Sequence, residues 1–265
     1  MRAYVVDAFT DAPFAGNPAG VCLPDADHAA DADWMQAVAT ELRHSETAFL
    51  APSARPDADW DLRWFTPSVE VDLCGHATLA SAHVLFTEGL AEREVRFWTR
   101  SGVLVATRHP DGAIGLDFPV WNPEPVEVPE GLADALGVPL LAAVVGSTDL
   151  IVEVATADEV RKLTPALGAL AAFPYRLIAV TAPGDTPGID FVSRVFAPAA
   201  GIDEDPVTGS VHCALGPYWA PRVGRTALTG FQASERGGAV GVELRGDRVL
   251  LLGLAVTVLK GELAG

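Results

Sequence analysis

The chain has few cysteines and no long apolar run, and each absence excludes a class of protein. Only three of its 265 residues are cysteines, and none of them forms a CxxC pair. The sequence therefore indicates neither a disulfide framework nor a zinc knuckle. No segment approaches the length of apolar sequence that a membrane-spanning helix needs. Residues 1–9 alternate like a strand and lack the apolar core of a signal peptide, so we expect a cytoplasmic protein.

Lysine is also scarce, and acidic residues dominate. Lysine occurs only at positions 162 and 260, and the formal net charge is −17. Nucleic-acid binding depends on clustered Lys and Arg, so we expect no nucleic-acid partner. The same charge would repel an anionic ligand. Any anion site must therefore depend on local donors such as the N-termini of helices.

Common cofactor and metal motifs are missing as well. The sequence contains no HExxH, no GxxxxGK[ST] and no GxGxxG. Its histidines and acidic residues do not show the helical spacing that metal ligands often have. Ser210 does not lie in a G-x-S-x-G turn, which argues against a serine hydrolase. We therefore expect no catalytic metal and no cofactor.

One segment of the sequence occurs twice. Residues 63–72 (RWFTPSVEVD) and 194–203 (RVFAPAAGID) share Arg, Phe, Pro and Asp in register. Three additional residues follow in the second copy before Gly75 and Gly209 come into line, each at the start of a small-residue stretch. The pattern predicts a strand, a polar turn and a helix in each half. Two such turns facing each other would form a cleft for a small anion, with two helix N-termini pointing into it.

The order of predicted elements indicates an α+β fold with two similar lobes. Strands and helices mix in each half without the regular alternation of a doubly wound sheet, and long helices are few. We predict an N-terminal lobe over residues 1–118 and a C-terminal lobe over 130–265, joined by a linker at 119–129 that contains four prolines. Each lobe would wrap its sheet around one buried helix, near 75–88 in the first and 208–219 in the second.

Polar residues in the first lobe could carry chemistry. Glu46 lies in an apolar strand, where it could act as a general acid/base or simply face solvent. His76 follows Gly75 at the turn into a helix, where it could contact a substrate or only cap the helix. Free N–H groups at that helix start could hold a carboxylate. Cys74 could be a reactive thiolate, and a buried inert thiol is the alternative.

The second lobe offers residues 203–210 (DEDPVTGS). Asp205 followed by proline is typical of a helix N-cap with proline at the first helical position. Three consecutive carboxylates beside Gly209 and the hydroxyl of Ser210 nevertheless exceed what a cap requires. A further polar turn at 232–238 either contributes a ligand contact through Arg236 or only connects a hairpin.

Four blocks together resemble one family: DAFTDAPFAGNPAGV at 7–21, SETAF at 45–49, FTPSVEVDLCGHAT at 65–78 and DEDPVTGS at 203–210. They are spread over nearly the whole chain, and they resemble the PhzF-like family of phenazine biosynthesis, a branch of the diaminopimelate-epimerase-like fold. The resemblance implies two similar lobes, each a curved sheet around a central helix, with the active site between them. It also implies a homodimer and an isomerase that uses no cofactor.

The resemblance further implies roles for single residues. In the family's namesake, the glutamate that matches Glu46 moves a proton during isomerisation of a dihydro-hydroxyanthranilate. The residues that match His76, Asp205 and Ser210 line the same pocket, and Asn17 matches an asparagine near the substrate. The sequence therefore predicts an isomerase that moves a proton within a small carboxylic acid, whose carboxylate would bind at the helix N-termini behind Gly75 and Gly209.

Two other functions stay open at this point. Related epimerases use two cysteines as acid and base on opposite faces of one carbon. This chain keeps Cys74, but Asp205 and Pro206 occupy the place expected for the second thiol, so an epimerase or racemase would need a non-thiol partner. The chain could also bind small carboxylates without converting them.

Overall fold

A computed structural model describes residues 1–264 and shows an α+β protein rich in strands, as the sequence predicts. The chain divides by its contacts into two compact units. The first unit contains residues 1–117 and the chain from Leu252 onward, and the second contains Phe118–Leu251. No helix in residues 1–264 is long and apolar enough to cross a membrane.

A sheet surrounds a central helix in the first unit. The elements of this unit are β1 (Arg2–Ala8), β2 (Asn17–Leu23), α1 (Ala32–Leu42), β3 (Glu46–Pro52), β4 (Trp60–Phe65), β5 (Glu70–Val71), α2 (Gly75–Thr87), β6 (Glu94–Thr99), β7 (Gly102–Arg108), β8 (Ile114–Pro119) and β18 (Ala255–Glu262). The strands pair in the order β18–β1–β2–β3–β4–β6–β7–β8, and β5 pairs with β4. Helix α2 contacts β1, β2, β3, β7 and β18, and ten of its thirteen residues are buried. A helix that is apolar on all faces is stable only in such an enclosed position.

The second unit repeats this plan. Its elements are β9 (Glu124–Val126), α3 (Leu132–Leu136), β10 (Ala142–Gly146), β11 (Asp149–Glu153), α4 (Ala157–Arg161), α5 (Leu167–Leu170), β12 (Ile178–Pro183), β13 (Phe191–Ala197), a 3-10 helix (Pro198–Ala200), β14 (Ile202–Asp205), α6 (Gly209–Val223), β15 (Ala227–Gln232), β16 (Gly238–Arg245) and β17 (Arg248–Gly253). The strands pair in the order β9–β10–β11–β12–β13–β15–β16, and β14 pairs with β13. Helix α6 packs on β15 and β16 and is hydrogen-bonded to β11 and β12 through Tyr218 and Trp219.

The same sequence of pairings occurs in both units. The β2–β3 and β11–β12 pairs are parallel, the β3–β4 and β12–β13 pairs are antiparallel, and the β4–β6 and β13–β15 pairs are parallel. The register also agrees, since Thr47 lies opposite Phe65 and Ile178 lies opposite Phe196. Positions in these paired strands of one unit therefore have identifiable counterparts in the other.

An arginine–glutamate ion pair marks the repeated segment. Arg63 donates from Nε and Nη2 to the carboxylate of Glu70 at 2.7 and 2.8 Å, and Arg194 binds Glu204 in the same way at 2.7 Å for both contacts. Bidentate pairs of this kind fix the orientation of both side chains. Because Glu70 matches Glu204, the three additional residues lie between Phe196 and Glu204, in the segment that contains the 3-10 helix and the start of β14. The sequence alone places them after Asp203, and the ion pairs correct that position.

Three predicted boundaries differ from the structure. The predicted second lobe includes the end of the chain, but β18 pairs with β1 in the first unit. Alternating apolar residues identify a strand without naming its partner, which explains the difference. The predicted linker at 119–129 contains β9, which pairs with β10. Helix α6 also continues to Val223, beyond its predicted end at 219.

Close packing of α6 against β10 gives a testable prediction. A Cβ atom on Gly146 would lie 2.5 Å from the Cβ of Ala214, whereas a Cβ on Gly168 would meet nothing within 4 Å. We expect Gly146→Ala to lower the free energy of unfolding by about 1–3 kcal/mol, the usual effect of overpacking. Gly168→Ala is the matched control and should be neutral or stabilising by up to about 1 kcal/mol. Urea denaturation would measure both, and equal stability of the two variants would contradict the prediction.

Candidate active site

Three reactive side chains of the first unit lie together. His76 Nε2 is 3.4 Å from Glu46 Oε2, and His76 Nδ1 is 3.5 Å from Cys74 Sγ. The hydroxyl of Ser45 also lies 3.4 Å from His76 Nε2. The side chains of His76 and Glu46 are only 7% and 15% exposed, so water competes little for these contacts. The imidazole therefore links a carboxylate to a thiol.

Strand β3 and helix α2 bring these groups together. Glu46 is the first residue of β3, beside Ala19 of the parallel strand β2. Cys74 precedes α2 with extended backbone angles, and its side chain accepts no capping hydrogen bond from the helix; His76 is the second helical residue. The first N–H groups of a helix have no partner within it, so α2 offers backbone donors beside the three side chains.

The same three groups include atom types that bind metals. One ligand atom each from Glu46, Cys74 and His76 can be chosen so that all lie within 4.8 Å of one another. A metal ion would use one imidazole nitrogen, however, whereas here Nδ1 faces the thiol and Nε2 faces the carboxylate. The imidazole thus lies between a carboxylate and a thiol, an arrangement in which it can exchange protons with either neighbour.

Asn17 lies near the start of the same strand pair. It is the first residue of β2, fully buried, two residues before Ala19. The preceding Gly16 has φ +63°, and a Cβ there would lie 2.2 Å from the carbonyl oxygen of Ala8. Glycine is therefore required at position 16, directly before Asn17.

In the second unit, a buried glutamine holds the turn before α6. Asp205 Oδ2 accepts a hydrogen bond of 2.5 Å from the hydroxyl of Thr208. The side chain of Gln232 accepts from the backbone N–H of Thr208 at 2.9 Å and donates to the carbonyl oxygen of Asp205 at 2.7 Å. Gln232 lies opposite Gly238, so residues 232–238 connect a hairpin, and a ligand contact through Arg236 stays a prediction.

Ser210 belongs to a charged group that the sequence analysis does not find. Its hydroxyl accepts a hydrogen bond of 3.1 Å from Arg176 Nη2. The same guanidinium binds Asp149 from Nε and Nη2 at 2.8 and 2.5 Å. Asp149 is fully buried, and this burial raises the pKa of its carboxyl group while the hydrogen bonds from Arg176 oppose the rise. Asp149 begins β11 and Arg176 precedes β12, so no local sequence motif joins them.

Helix α6 also contains a fully buried histidine. His212 Nδ1 lies 2.8 Å from the carbonyl oxygen of Thr208, and burial lowers the pKa of the imidazole to about 4. A carbonyl can only accept, so Nδ1 carries the hydrogen and the ring is neutral near pH 7. His212 therefore helps to hold the residue that precedes α6.

The common register of the two units corrects one prediction. Counting from the matched glutamates, Cys74 corresponds to Thr208, whereas the sequence analysis puts Asp205 and Pro206 in that place. The other two thiols, Cys22 and Cys213, are buried, and burial raises the pKa of each to about 12. Neither has the character of a second catalytic thiol.

The structure brings some of the predicted site residues together within each unit. Glu46 and His76 are in contact, and Gly75 begins the helix beside them, while Asn17 begins the neighbouring strand. In the second unit, Asp205 is hydrogen-bonded to the residue before α6, and Gly209 and Ser210 are the first residues of that helix. A cleft shared by the two sets stays a prediction.

Comparison with known proteins gives consistent matches over the full length of the chain. A family model described as "Phenazine biosynthesis-like protein" (PhzC-PhzF) matches residues 6–261. An uncharacterized isomerase of Pseudomonas aeruginosa is 49% identical and covers 99% of this chain and 98% of its own. Another from Halalkalibacterium halodurans is 46% identical, with coverage of 98% and 97%.

Solved structures agree with these matches. A PhzF-family phenazine biosynthesis protein from Enterococcus faecalis has a TM-score of 0.92 at 40% identity and covers 99% of this chain and 98% of its own. A probable proline racemase from Agrobacterium radiobacter has a TM-score of 0.62 at 15% identity, with coverage of 99% and 92%. The latter likeness shows a related fold.

Proposed function

We propose a proton-transfer reaction for this chain. The chain belongs to the PhzC-PhzF family of phenazine biosynthesis-like proteins and is an isomerase. The reaction moves a proton between two carbons of a small cyclic or amino-substituted carboxylic acid, such as a dihydro-hydroxyanthranilate. It uses neither a metal nor an organic cofactor. The observation that carries the proposal is the contact of His76 with Glu46 and Cys74 at the N-terminus of α2.

Glu46 is the proposed carrier of the proton. Its carboxylate removes a proton from one carbon, and the electron pair of that C–H bond moves into the conjugated system of the substrate. The resulting carboxylic acid returns the proton to another carbon, so the reaction consumes and releases nothing. His76 holds the carboxylate in position, and the backbone donors at the start of α2 stabilise the developing negative charge.

Residues of the second unit are proposed to hold the substrate. Asp205 would bind an amino or hydroxyl group of the substrate. Ser210 and the backbone N–H groups that begin at Gly209 would bind its carboxylate. These residues would meet Glu46 in a cleft between the units, as the family resemblance implies. We also propose that the protein works as a cytoplasmic homodimer on the same ground.

The counterparts of the reactive groups support a reaction with one base. Glu46 corresponds to Leu177 in the second unit, and Cys74 corresponds to Thr208. Neither counterpart exchanges a proton near neutral pH. A two-base epimerase needs an acid and a base on opposite faces of the carbon, whereas a single base can remove the proton and return it.

The experiment that tests the proposal can be done before the substrate is identified. Purified protein, dialysed against EDTA, would be incubated in D2O with a panel of small cyclic and amino-substituted carboxylic acids and followed by NMR. We expect a change in double-bond position with limited uptake of deuterium, because one base returns much of the proton that it removed. Deuterium at a stereocentre with inversion would indicate an epimerase, and binding without turnover would indicate a binding protein.

Replacement of Cys74 separates an isomerase from an epimerase. We expect Cys74→Ala to lower the rate constant for isomerisation by less than about tenfold, because the thiol contacts His76 and does not carry the transferred proton. Cys22→Ala is the matched control for loss of a buried thiol elsewhere in the unit. Complete loss of turnover in Cys74→Ala, with the control active, would favour the epimerase.

A further inference from the structure

The Asp149–Arg176–Ser210 group joins a buried carboxylate, a partly exposed guanidinium and a hydroxyl. Asp149 is fully buried, whereas the Arg176 side chain is 46% exposed, so the guanidinium lies between the interior and the solvent. Nε and Nη2 are used by Asp149, and Nη2 also reaches Ser210. An exposed arginine rarely holds a defined geometry, but a fully buried carboxylate restrains this one.

The contact decides what the Ser210 hydroxyl can do. An arginine only donates, so Ser210 accepts through an oxygen lone pair and its hydrogen is directed to another group. Within residues 1–264, the Ser210 hydroxyl has the hydrogen bond from Arg176 and donates its own hydrogen to no protein group. Ser210 is also the second residue of α6, where backbone N–H groups lack helical partners. The free direction of the hydroxyl hydrogen, the lack of a protein acceptor for it and the N–H groups at the start of α6 all favour a ligand that accepts hydrogen bonds.

The internal repeat shows that this contact has a counterpart. Arg176 corresponds in register to Ser45, and Ser210 corresponds to His76. The Ser45–His76 contact of the first unit is therefore matched by the Arg176–Ser210 contact of the second. In the first unit the position is occupied by Ser45, which adjoins His76, a residue that can exchange protons. In the second unit the same position is occupied by Arg176, which carries a permanent positive charge.

We propose that Arg176, restrained by Asp149, is a positioning residue that makes Ser210 a donor and sets the preference of the site for a substrate carboxylate over a neutral group. The inference rests on the proposed function, in which Ser210 contacts the substrate. It gives a chain with a net charge of −17 a local group of donors for an acid. One buried carboxylate holds the cation in place beside the first turn of α6.

The test compares matched acids and amides. In a Glu46→Gln background, in which turnover is expected to be slow, binding would be measured by NMR titration for benzoate and benzamide, anthranilate and anthranilamide, and proline and prolinamide. The double variant Arg176→Gln/Asp149→Asn removes both charges, so no buried carboxylate is left unpaired. The control Arg161→Gln/Asp185→Asn removes an exposed bidentate pair of the same unit and leaves the same net charge.

We expect the acid to be preferred over its amide in at least one pair. The Arg176→Gln/Asp149→Asn variant should reduce that preference about 10- to 100-fold, the usual value of a hydrogen bond to a charged group, while the control retains it. A purely structural role would weaken acid and amide equally. Preserved preference in the double variant, or no preference in any pair for the parent, would overturn the inference. Because catalysis plays no part in the measurement, failure of the proton-transfer reaction would be recognised separately.

Discussion

Replacement of Glu46 by glutamine is expected to lower the rate of isomerisation by about 10²–10⁴-fold, the usual contribution of a general acid/base. Glutamine has nearly the same shape and can still meet His76 Nε2, which lies 3.4 Å from the carboxylate in the unchanged protein. It cannot accept a proton from carbon near neutral pH. The loss should therefore appear in the rate constant for conversion, with little change in substrate binding. Single-turnover NMR on the substrate found in the panel would measure both quantities.

A second strand glutamate provides the control for this prediction. Glu153 ends β11 and is 16% exposed, close to the 15% of Glu46, and it accepts a hydrogen bond of 2.5 Å from Tyr218. Glu153→Gln makes the same chemical change at similar burial and should leave the rate within about threefold, well below the effect of removing an acid/base. If Glu46→Gln retained most of the turnover, Glu46 could not be the proton carrier. Equal losses in both variants would indicate a general effect on the fold.

Local patterns are sufficient to predict most of the fold. The alternating strand of residues 2–9 and the small-residue helix at 75–88 depend on periods that the sequence displays directly, and both are present as β1 and α2. The partner of a distant strand is a different matter. Strand β18 pairs with β1 across almost the whole chain, and nothing in its alternation specifies that pairing.

The sequence predicts a residue of the candidate site where a reactive side chain lies within a recognisable sequence block. Glu46 and His76 lie in recognisable blocks, and the structure brings them into contact. Arg176 and Asp149 escape prediction because each is an ordinary residue beside an ordinary strand, and they meet only through the parallel pairing of β11 and β12. The correspondence of Cys74 with Thr208 escapes it for a related reason, since a gap can be placed in a short alignment only when strand register is known.

The buried imidazole of His212 gives the second large prediction, which concerns stability and pH. Burial lowers the pKa of His212 in the folded protein to about 4, from an ordinary value of 6.5. Well above pH 6.5 the histidine is neutral in both states and has no effect on the pH dependence of folding. As the pH falls from 6.5 to 4, the unfolded chain takes up a proton that the folded chain does not. The free energy of unfolding should therefore decrease by about 3 kcal/mol over this range because of His212 alone.

A difference measurement isolates that contribution from the other titrating groups. His212→Gln removes the imidazole and keeps a side-chain N–H that can donate to the carbonyl oxygen of Thr208, which His212 Nδ1 contacts at 2.8 Å. Asp149 has a raised pKa, which gives a slope of the opposite sign, but it is present in both proteins and cancels in the comparison. Urea denaturation at a series of pH values should show that the parent loses more stability than the variant between pH 6.5 and 4. Parallel curves would mean that His212 can be protonated in the folded state, and the turn before α6 would then open far more readily than its buried hydrogen bonds suggest.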